Sequence, residues 1–317
     1  MSELRVGRVI RTDAKVCHVD FDGEVRPCAP RGKLFEDLGD IKNPITVGDW
    51  VEVSLGEELP GIESVRPRQN YLPRVASSHD PRAQILFSNV DQLMIMGSAA
   101  KPRLSTNRTD RILAACAYYE IPTHLILNKI DIDKHGELEE FREIYKNAGI
   151  GFFPISATEQ EGIERVAEQL RDKVTVLYGA SGAGKSTLIN AIQPGLNIKT
   201  AKISKYWDAG KHTTTYSQMH PLDAVNAHII DTPGIRVFRL FGINKAELRD
   251  AFPEFVPYNG KCRFPDCSHD HEPECAVFDA VEDGKIAMTR FESYLQILDE
   301  LAPPPEDDTP VAPPDRE

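Results

Sequence analysis

One eight-residue run, Gly179-Ala-Ser-Gly-Ala-Gly-Lys-Ser186, constrains this 317-residue chain more than any other. It fits G-x-x-x-x-G-K-S, follows the apolar run VTVLY and opens the helical run KSTLINAI. That pattern belongs between a strand and a helix. Gly179, Gly182 and Gly184 let the backbone curl until successive N–H groups face phosphate oxygens. The helix N-terminus adds the positive end of its dipole. Lys185 reaches the β- and γ-phosphates, and the Ser186 hydroxyl ligates Mg²⁺. Ala180, Ser181, Ala183 and Thr187 complete the expected cradle.

A base-reading motif accompanies it. Asn128-Lys129-Ile130-Asp131 ends the apolar run HLILN. The Asp131 carboxylate can accept from guanine N1–H and the 2-amino group, which adenine does not offer, and a site built to pair polar groups rejects the wrong base strongly. Ser156 and Ala157, in PISAT, follow a strand, where a small residue lets a backbone N–H approach guanine O6. IIDTPGI gives D-x-x-G, with Asp231 expected on Mg²⁺ and the Gly234 N–H on the γ-phosphate. GKHTTT, residues 210–215, supplies hydroxyls between these two motifs. One of Thr213, Thr214 and Thr215 completes the Mg²⁺ shell; Thr214 is the assignment, and the others remain open.

The order along the chain is base-reading, phosphate loop, switches. A parallel sheet gathers strand ends whatever their sequence order, and joining old termini while cutting elsewhere leaves such a site intact. Here the chain soon leaves the second switch for a C-terminal region, so movement near Asp231 would pull on that region.

The fold class expected is multidomain α/β. Residues 1–70 read as five short strands, RVGRVIR, AKVCHVDF, EVRPCAP, DWVEVSL and GIESVRP, forming an OB-like β-barrel. Residues 71–243 alternate apolar runs with helical patterns, implying a mostly parallel sheet with helices on both faces, the circularly permuted P-loop GTPase domain. Residues 244–301 read as a helical zinc-binding domain. Residues 302–317, acidic and Pro-rich, read as a disordered tail.

In KCRFPDCSHDHEPECAV, Cys262, Cys267, His269 and Cys275 follow C-x₄-C-x-H-x₅-C. Three thiolates and an imidazole form a closed tetrahedral set, which points to one structural Zn²⁺; His271 is a rival ligand. Cys17, Cys28 and Cys116 are scattered among apolar runs, unlike a disulfide framework.

The stretches NVDQLMIM, LNKIDI, PISA, GASGAGKSTLIN, GKHTTT, IIDTPGI and the Cys/His cluster together resemble the RsgA/YjeQ family of circularly permuted ribosome-assembly GTPases, over about residues 1–300. The resemblance implies an RNA-binding barrel, GTP hydrolysis, structural zinc and action on the small ribosomal subunit and its rRNA during late maturation.

Position 235 is Ile, where many GTPases place a water-orienting Gln, so slow hydrolysis in isolation is expected. His212 is the candidate for positioning water; packing or RNA contact is its other reading. Two basic patches are candidates for RNA: Arg5, Arg8, Arg11, Arg26, Arg31 and Lys33 on the barrel, and Lys199, Lys202, Lys205 and Lys211 around Tyr206 and Trp207. A net charge of −12 argues against attraction spread over the whole surface. The alternative function is an RNA-binding scaffold with a structural, non-hydrolysed nucleotide. A metabolic ATPase is disfavoured by Asp131. No apolar run reaches the ~20 residues of a membrane span, and no signal peptide is evident, so a cytoplasmic protein, taken as a monomer exchanging GTP and GDP, is expected.

Overall fold

The computed structural model describes residues 4–13, 15–36, 38–56, 58–194, 217–231 and 238–301. The expectations for His212, Thr213–Thr215, Gly234, Ile235, the second basic patch and the acidic tail lie outside these residues.

Strands β1 (Leu4–Thr12), β2 (Cys17–Phe21), β3 (Glu24–Pro30), β4 (Trp50–Ser54) and β5 (Gly61–Val65) match the five expected runs. β1 pairs with both β2 and β4, while β3 runs parallel to β5, which closes the barrel in the order β1-β2-β3-β5-β4. The period-2 alternation sends Val9, Val19, Phe21, Val51, Val53 and Ile62 inward. Gly7 belongs to this interior: a Cβ there would lie 2.4 Å from Val19 Cγ1 and 2.7 Å from Phe21.

An antiparallel hairpin, β6 (Tyr71–Ser77) and β7 (Asp80–Ser88), follows. The sequence pattern of 71–243 does not reveal it. Pro73 and Pro81 interrupt its apolar alternation, and prolines demote a strand signal.

The second half of the large sheet contains β8 (Gln92–Ser98), β9 (Thr123–Asn128), β10 (Gly151–Pro154), β11 (Val174–Gly179), β12 (Gln218–Leu222) and β13 (Ala227–Asp231). Its order is β10-β9-β8-β11-β13-β12. The first five are mutually parallel, as expected, and β12 is antiparallel to β13. β12 continues the sheet into the barrel by pairing Gln218 with Arg11 of β1. Pro221, which lacks an N–H, falls beyond that junction, where no strand adjoins β12 on the barrel side among the described residues.

Helices α1 (Thr106–Tyr118), α2 (Glu137–Tyr145), α3 (Ile163–Leu170) and α4 (Lys185–Ile192) cover the sheet. On one face Met94, Met96, Ile126 and Leu177 pack with Val166 and Leu170 of α3 and Leu188 of α4. On the other, Leu93, Ile95, Leu125 and Val176 pack with Ile112 and Cys116 of α1 and Phe141 of α2. The start of α2 is set by Asp133, whose carboxylate accepts the N–H groups of His135, Glu137 and Leu138.

The C-terminal region holds α5 (Lys245–Leu248), α6 (Ala276–Glu282) and α7 (Met288–Glu300). Its Phe252, Phe255, Phe291, Tyr294 and Ile297 join the same apolar cluster as α1. The small cysteine-bearing region therefore shares a core with the sheet. Among the described residues no helix is long and apolar enough to cross a membrane.

Candidate nucleotide site and Cys/His cluster

The parallel registers fix which residues meet. Ser98 pairs with Asn128, Leu127 with Pro154, Met96 with Gly179, and Leu177 with Asp231. The base-reading motif, the phosphate loop and Asp231 thus emerge along one edge of the sheet, at the carboxyl ends where ligands bind in open α/β sheets.

Asn128 ties these motifs together. Its side chain, 3% exposed, donates from Nδ2 to Ala183 O at 2.9 Å, inside the phosphate loop. Its Oδ1 accepts Ala157 N–H at 3.0 Å, inside PISA. The Asn128 carbonyl accepts Ala99 N–H at 2.8 Å. One residue therefore bonds to three loops distant in sequence. Ser156 is wholly buried; its N–H goes to Glu161 O, and its Oγ accepts Glu159 N–H. The N–H groups of Ser156 and Ala157 are thus already engaged within the protein. For either to serve guanine O6, it must share or exchange that bond.

The phosphate loop is built on its glycines. Gly182 and Gly184 have φ of +85° and +106°. A Cβ on Gly184 would fall 2.1 Å from Asn128 Nδ2, and one on Gly179 would fall 2.5 Å from Met96 O. Lys185 Nζ donates to Gly179 O at 2.6 Å, which holds the ammonium within the loop. Burial lowers its pKa, and the neighbouring Asp231 carboxylate opposes that shift. Ser186 is buried at the start of α4, Thr187 is half-buried, and Ala180 and Ser181 form the exposed rim. Asp231 stands at the end of β13, across the register from Leu177.

Lys129 adopts φ +64°, and its Nζ donates to Lys101 O at 2.7 Å. Asp131 follows on the single 3₁₀ turn Ile130–Ile132, exposed to solvent, as a carboxylate that meets a base must be. Sequence reasoning missed the β8–α1 loop. A Cβ on Gly182 would touch Pro102 at 3.5 Å, so this loop walls the phosphate loop. Nothing in its residue types signals that contact.

The four cluster residues come together as expected. One ligand atom from each of Cys262, Cys267, His269 and Cys275 lies within 4.8 Å of the others. His269 Nδ1 stands 3.3 Å from Cys275 Sγ and 3.5 Å from Cys262 Sγ. Its Nε2 lies 3.2 Å from Asn259 Oδ1, and Asn259 Nδ2 donates to Asp250 Oδ1 at 2.7 Å. An Nε2–H directed at a carbonyl oxygen leaves the Nδ1 lone pair for a metal. Burial first pushes the Cys267 thiol up to about 12, with the His269 backbone N–H opposing it and the neighbouring thiols adding to it, an environment in which a cation is needed to hold thiolates. The donor set therefore suits and can hold a zinc ion. His271 is excluded from it: its side chain is 82% exposed and meets Asp270 instead. Asn259, which orients His269, was not legible in the motif.

The barrel patch is far from bare. Arg5 faces Asp22 and Glu24, Arg11 meets Asp13, Arg26 meets Glu24, and Arg31 and Lys33 converge on Glu63. Arg8 donates to Asn89 O at 2.5 Å and lies over Trp50. Much of its positive charge is offset on the spot.

Residues 65–241 match the family described as RsgA GTPase. The chain is 38% identical to the small ribosomal subunit biogenesis GTPase RsgA of Bacteroides fragilis over 283 residues, 88% of this chain and 91% of that one. It is 37% identical to the protein of the same name from Christiangramia forsetii, over 88% of this chain and 90% of the relative. Among solved structures it resembles YjeQ from Thermotoga maritima, with a TM-score of 0.73 and 33% identity over 94% of this chain and 99% of that one. It also resembles YloQ, described as a circularly permuted GTPase, with a TM-score of 0.67 and 26% identity over 94% and 95% of the two chains.

Proposed function

The chain belongs to the RsgA GTPase family, and on that premise we propose that it binds GTP, hydrolyses it to GDP and phosphate, and acts through ribosomal RNA in late maturation of the small ribosomal subunit. The observation that carries the nucleotide reading is the Asn128 side chain, bonded at once to the phosphate loop and to PISA. It sets the distance between the place where a base is read and the place where phosphates are held. The partner follows from the names of the relatives, which are small ribosomal subunit biogenesis GTPases.

In this reading Asp131 selects guanine, with Asn128, Lys129, Ser156 and Ala157 shaping its pocket. The 179–187 loop wraps the phosphates, and Lys185 exchanges the Gly179 carbonyl for phosphate oxygens. Ser186, Asp231 and Thr214 would hold Mg²⁺, which when bound offsets the negative charge of the phosphate oxygens. Gly234 touches the γ-phosphate, and His212 positions the attacking water. One Zn²⁺ in the Cys/His set fastens the C-terminal region.

The proposed division is a barrel over 1–70, a GTPase domain over 71–243, a zinc-binding domain over 244–301 and a tail over 302–317. The separate apolar interior of the barrel supports the first boundary. We take the protein to act in the cytoplasm as a monomer.

GTP and ATP turnover by the purified chain, with and without small ribosomal subunits, tests the proposal. Stimulation by subunits that is specific to GTP is expected. Turnover indifferent to subunits would remove the partner while keeping the site. Tight GTP binding with no turnover under either condition would favour the scaffold.

A further inference from the structure

A cleft of about 680 Å³ opens between β6, α1 and α7. Its apolar floor includes Ile112, Phe238 and Leu240, and Tyr178 adds an aromatic wall. Arg108, Arg111 and Arg239 carry its charge, with Glu300 as the one acidic residue among those lining it. Glu300 is already taken by both terminal nitrogens of Arg111. Arg108 and Arg239 are exposed and form no ion pair among the described residues. The cleft is therefore electropositive and partly aromatic on an otherwise acidic protein.

Helix α7 ends at this cleft. Glu300 and Leu301, which close α7, both line it. The sequence continues with Ala302, then Pro303, Pro304 and Pro305, then Glu306, Asp307 and Asp308, and finishes with Asp315 and Glu317 around the lone base Arg316. Proline lacks the N–H group that a helix interior requires. Pro-rich segments suit aromatic-lined grooves. Asp307 lies six residues past Leu301, a reach of up to ~20 Å for extended chain. Such a tether also gives the tail a high effective concentration at the cleft.

We propose that the acidic C-terminal segment, residues 302–317, docks in cis on this cleft, with Pro303–Pro305 toward Tyr178 and Phe238 and Glu306–Asp308 toward Arg108 and Arg239. The position gives the contact a consequence. Tyr178 immediately precedes Gly179 of the phosphate loop, and Phe238 and Arg239 lie on the chain as it comes from Asp231. An anion of another kind, such as RNA phosphate, would have to displace the tail to use these arginines.

Hydrogen exchange of the full chain tests this, compared with the Glu306→Gln/Asp307→Asn/Asp308→Asn variant, which removes the charge proposed to face Arg108 and Arg239. Peptides covering 108–112 and 238–241 should exchange about threefold to tenfold more slowly in the parent at low salt, and the difference should vanish at high salt. Arg239→Glu, on the exposed rim, should abolish the same protection. Equal exchange in parent and tail variant would overturn the proposal. So would protection that survives Arg239→Glu, since the tail would then lie elsewhere. Protection lost on dilution would assign the contact to a second copy and overturn docking in cis.

Discussion

Arg290 of α7 donates from Nη1 to Asp110 Oδ1 of α1 at 2.7 Å, with both side chains essentially out of solvent. The same guanidinium makes two bonds to Glu254, at 2.6 and 3.1 Å, and stacks over Phe252. Tyr145 of α2 donates to the same Asp110 oxygen at 2.9 Å. This one cation joins the C-terminal region to two helices of the nucleotide-binding sheet. Breaking a buried pair from one side leaves uncompensated charge, at a cost of about 3–5 kcal/mol. Arg290→Met should lower stability by that amount at neutral pH, read as a fall in the denaturant midpoint. Burial already raises the Asp110 pKa, with Arg290 opposing that shift, and loss of the cation would raise it further. The cost is full above the folded-state pKa and is relieved by protonation, so the deficit should shrink as pH falls. A deficit independent of pH would mean that lost packing, and not charge, dominates.

The bridge made by Asn128 yields a second expectation. Asn128→Ala leaves Ala183 O and Ala157 N–H without this partner, at about 1–3 kcal/mol for buried groups. GTP affinity should fall, and the preference over ATP should narrow, because the loop that presents Asp131 loses its tie to the phosphate loop. Gly184→Ala should reproduce the defect without altering Asn128, since its Cβ would overlap the amide at 2.1 Å and φ is +106°. Calorimetric titration with GTP and ATP checks both. Full affinity in Gly184→Ala would show that the loop can yield, and would sink the idea that this contact sets the geometry.

What was legible in the sequence was what short spacing encodes. Gly182, Gly184 and Lys185 sit in one loop because a phosphate cradle needs them consecutive. The Cys/His set spans fourteen residues, Cys262 to Cys275, and closes on itself. Val and Phe alternation placed the barrel strands: β3 matched its expected ends, and β1 and β4 fell within one residue of theirs at each end. What was hidden depends on distance along the chain. Arg290 and Asp110 are 180 residues apart, and each alone reads as a solvated charge. Asn259 orients His269 from outside the motif. β12 carries Pro221 and a polar start, so its strand character comes from β13 and Arg11 rather than from its own residues. Of the barrel arginines, Arg31 finds Glu63 on another strand, a pairing that spacing does not show, whereas Arg11 and Arg26 meet Asp13 and Glu24 two residues away.

Asn259 supplies a prediction separable from the ligands. Asn259→Ala removes the acceptor for His269 Nε2–H but leaves all four donor atoms in place. Loss of such an outer partner costs roughly 10–100-fold in metal affinity. Competition against a chromogenic chelator should show that weakening for zinc, while His271→Ala, exposed and outside the set, leaves affinity unchanged. Strong chelation should loosen the C-terminal region, and with it the cluster shared by Phe255 and Tyr294. An unaltered zinc affinity in Asn259→Ala would show that the thiolates alone fix the ring.

Glu63 gives the barrel a definite response to acid. Lys33 donates to its Oε2 at 2.9 Å, while Ser54 at 2.8 Å and Arg31 at 3.2 Å donate to Oε1. These bonds, the one from Lys33 first, hold its carboxyl at about 2, below the ordinary 4.5. A carboxyl whose folded pKa is depressed stabilises the fold above its unfolded pKa. That contribution fades as pH falls from 4.5 toward 2. Glu63→Gln keeps the shape and removes the titration. Thermal unfolding of the full chain should therefore show the parent above the variant at neutral pH, with the gap closing through that window. Because the pairs are partly open to water, the gap should also narrow with added salt. A gap that stays constant down to the acid end would mean that Lys33 and Arg31 hold the strands by geometry alone, with no net contribution from the charge.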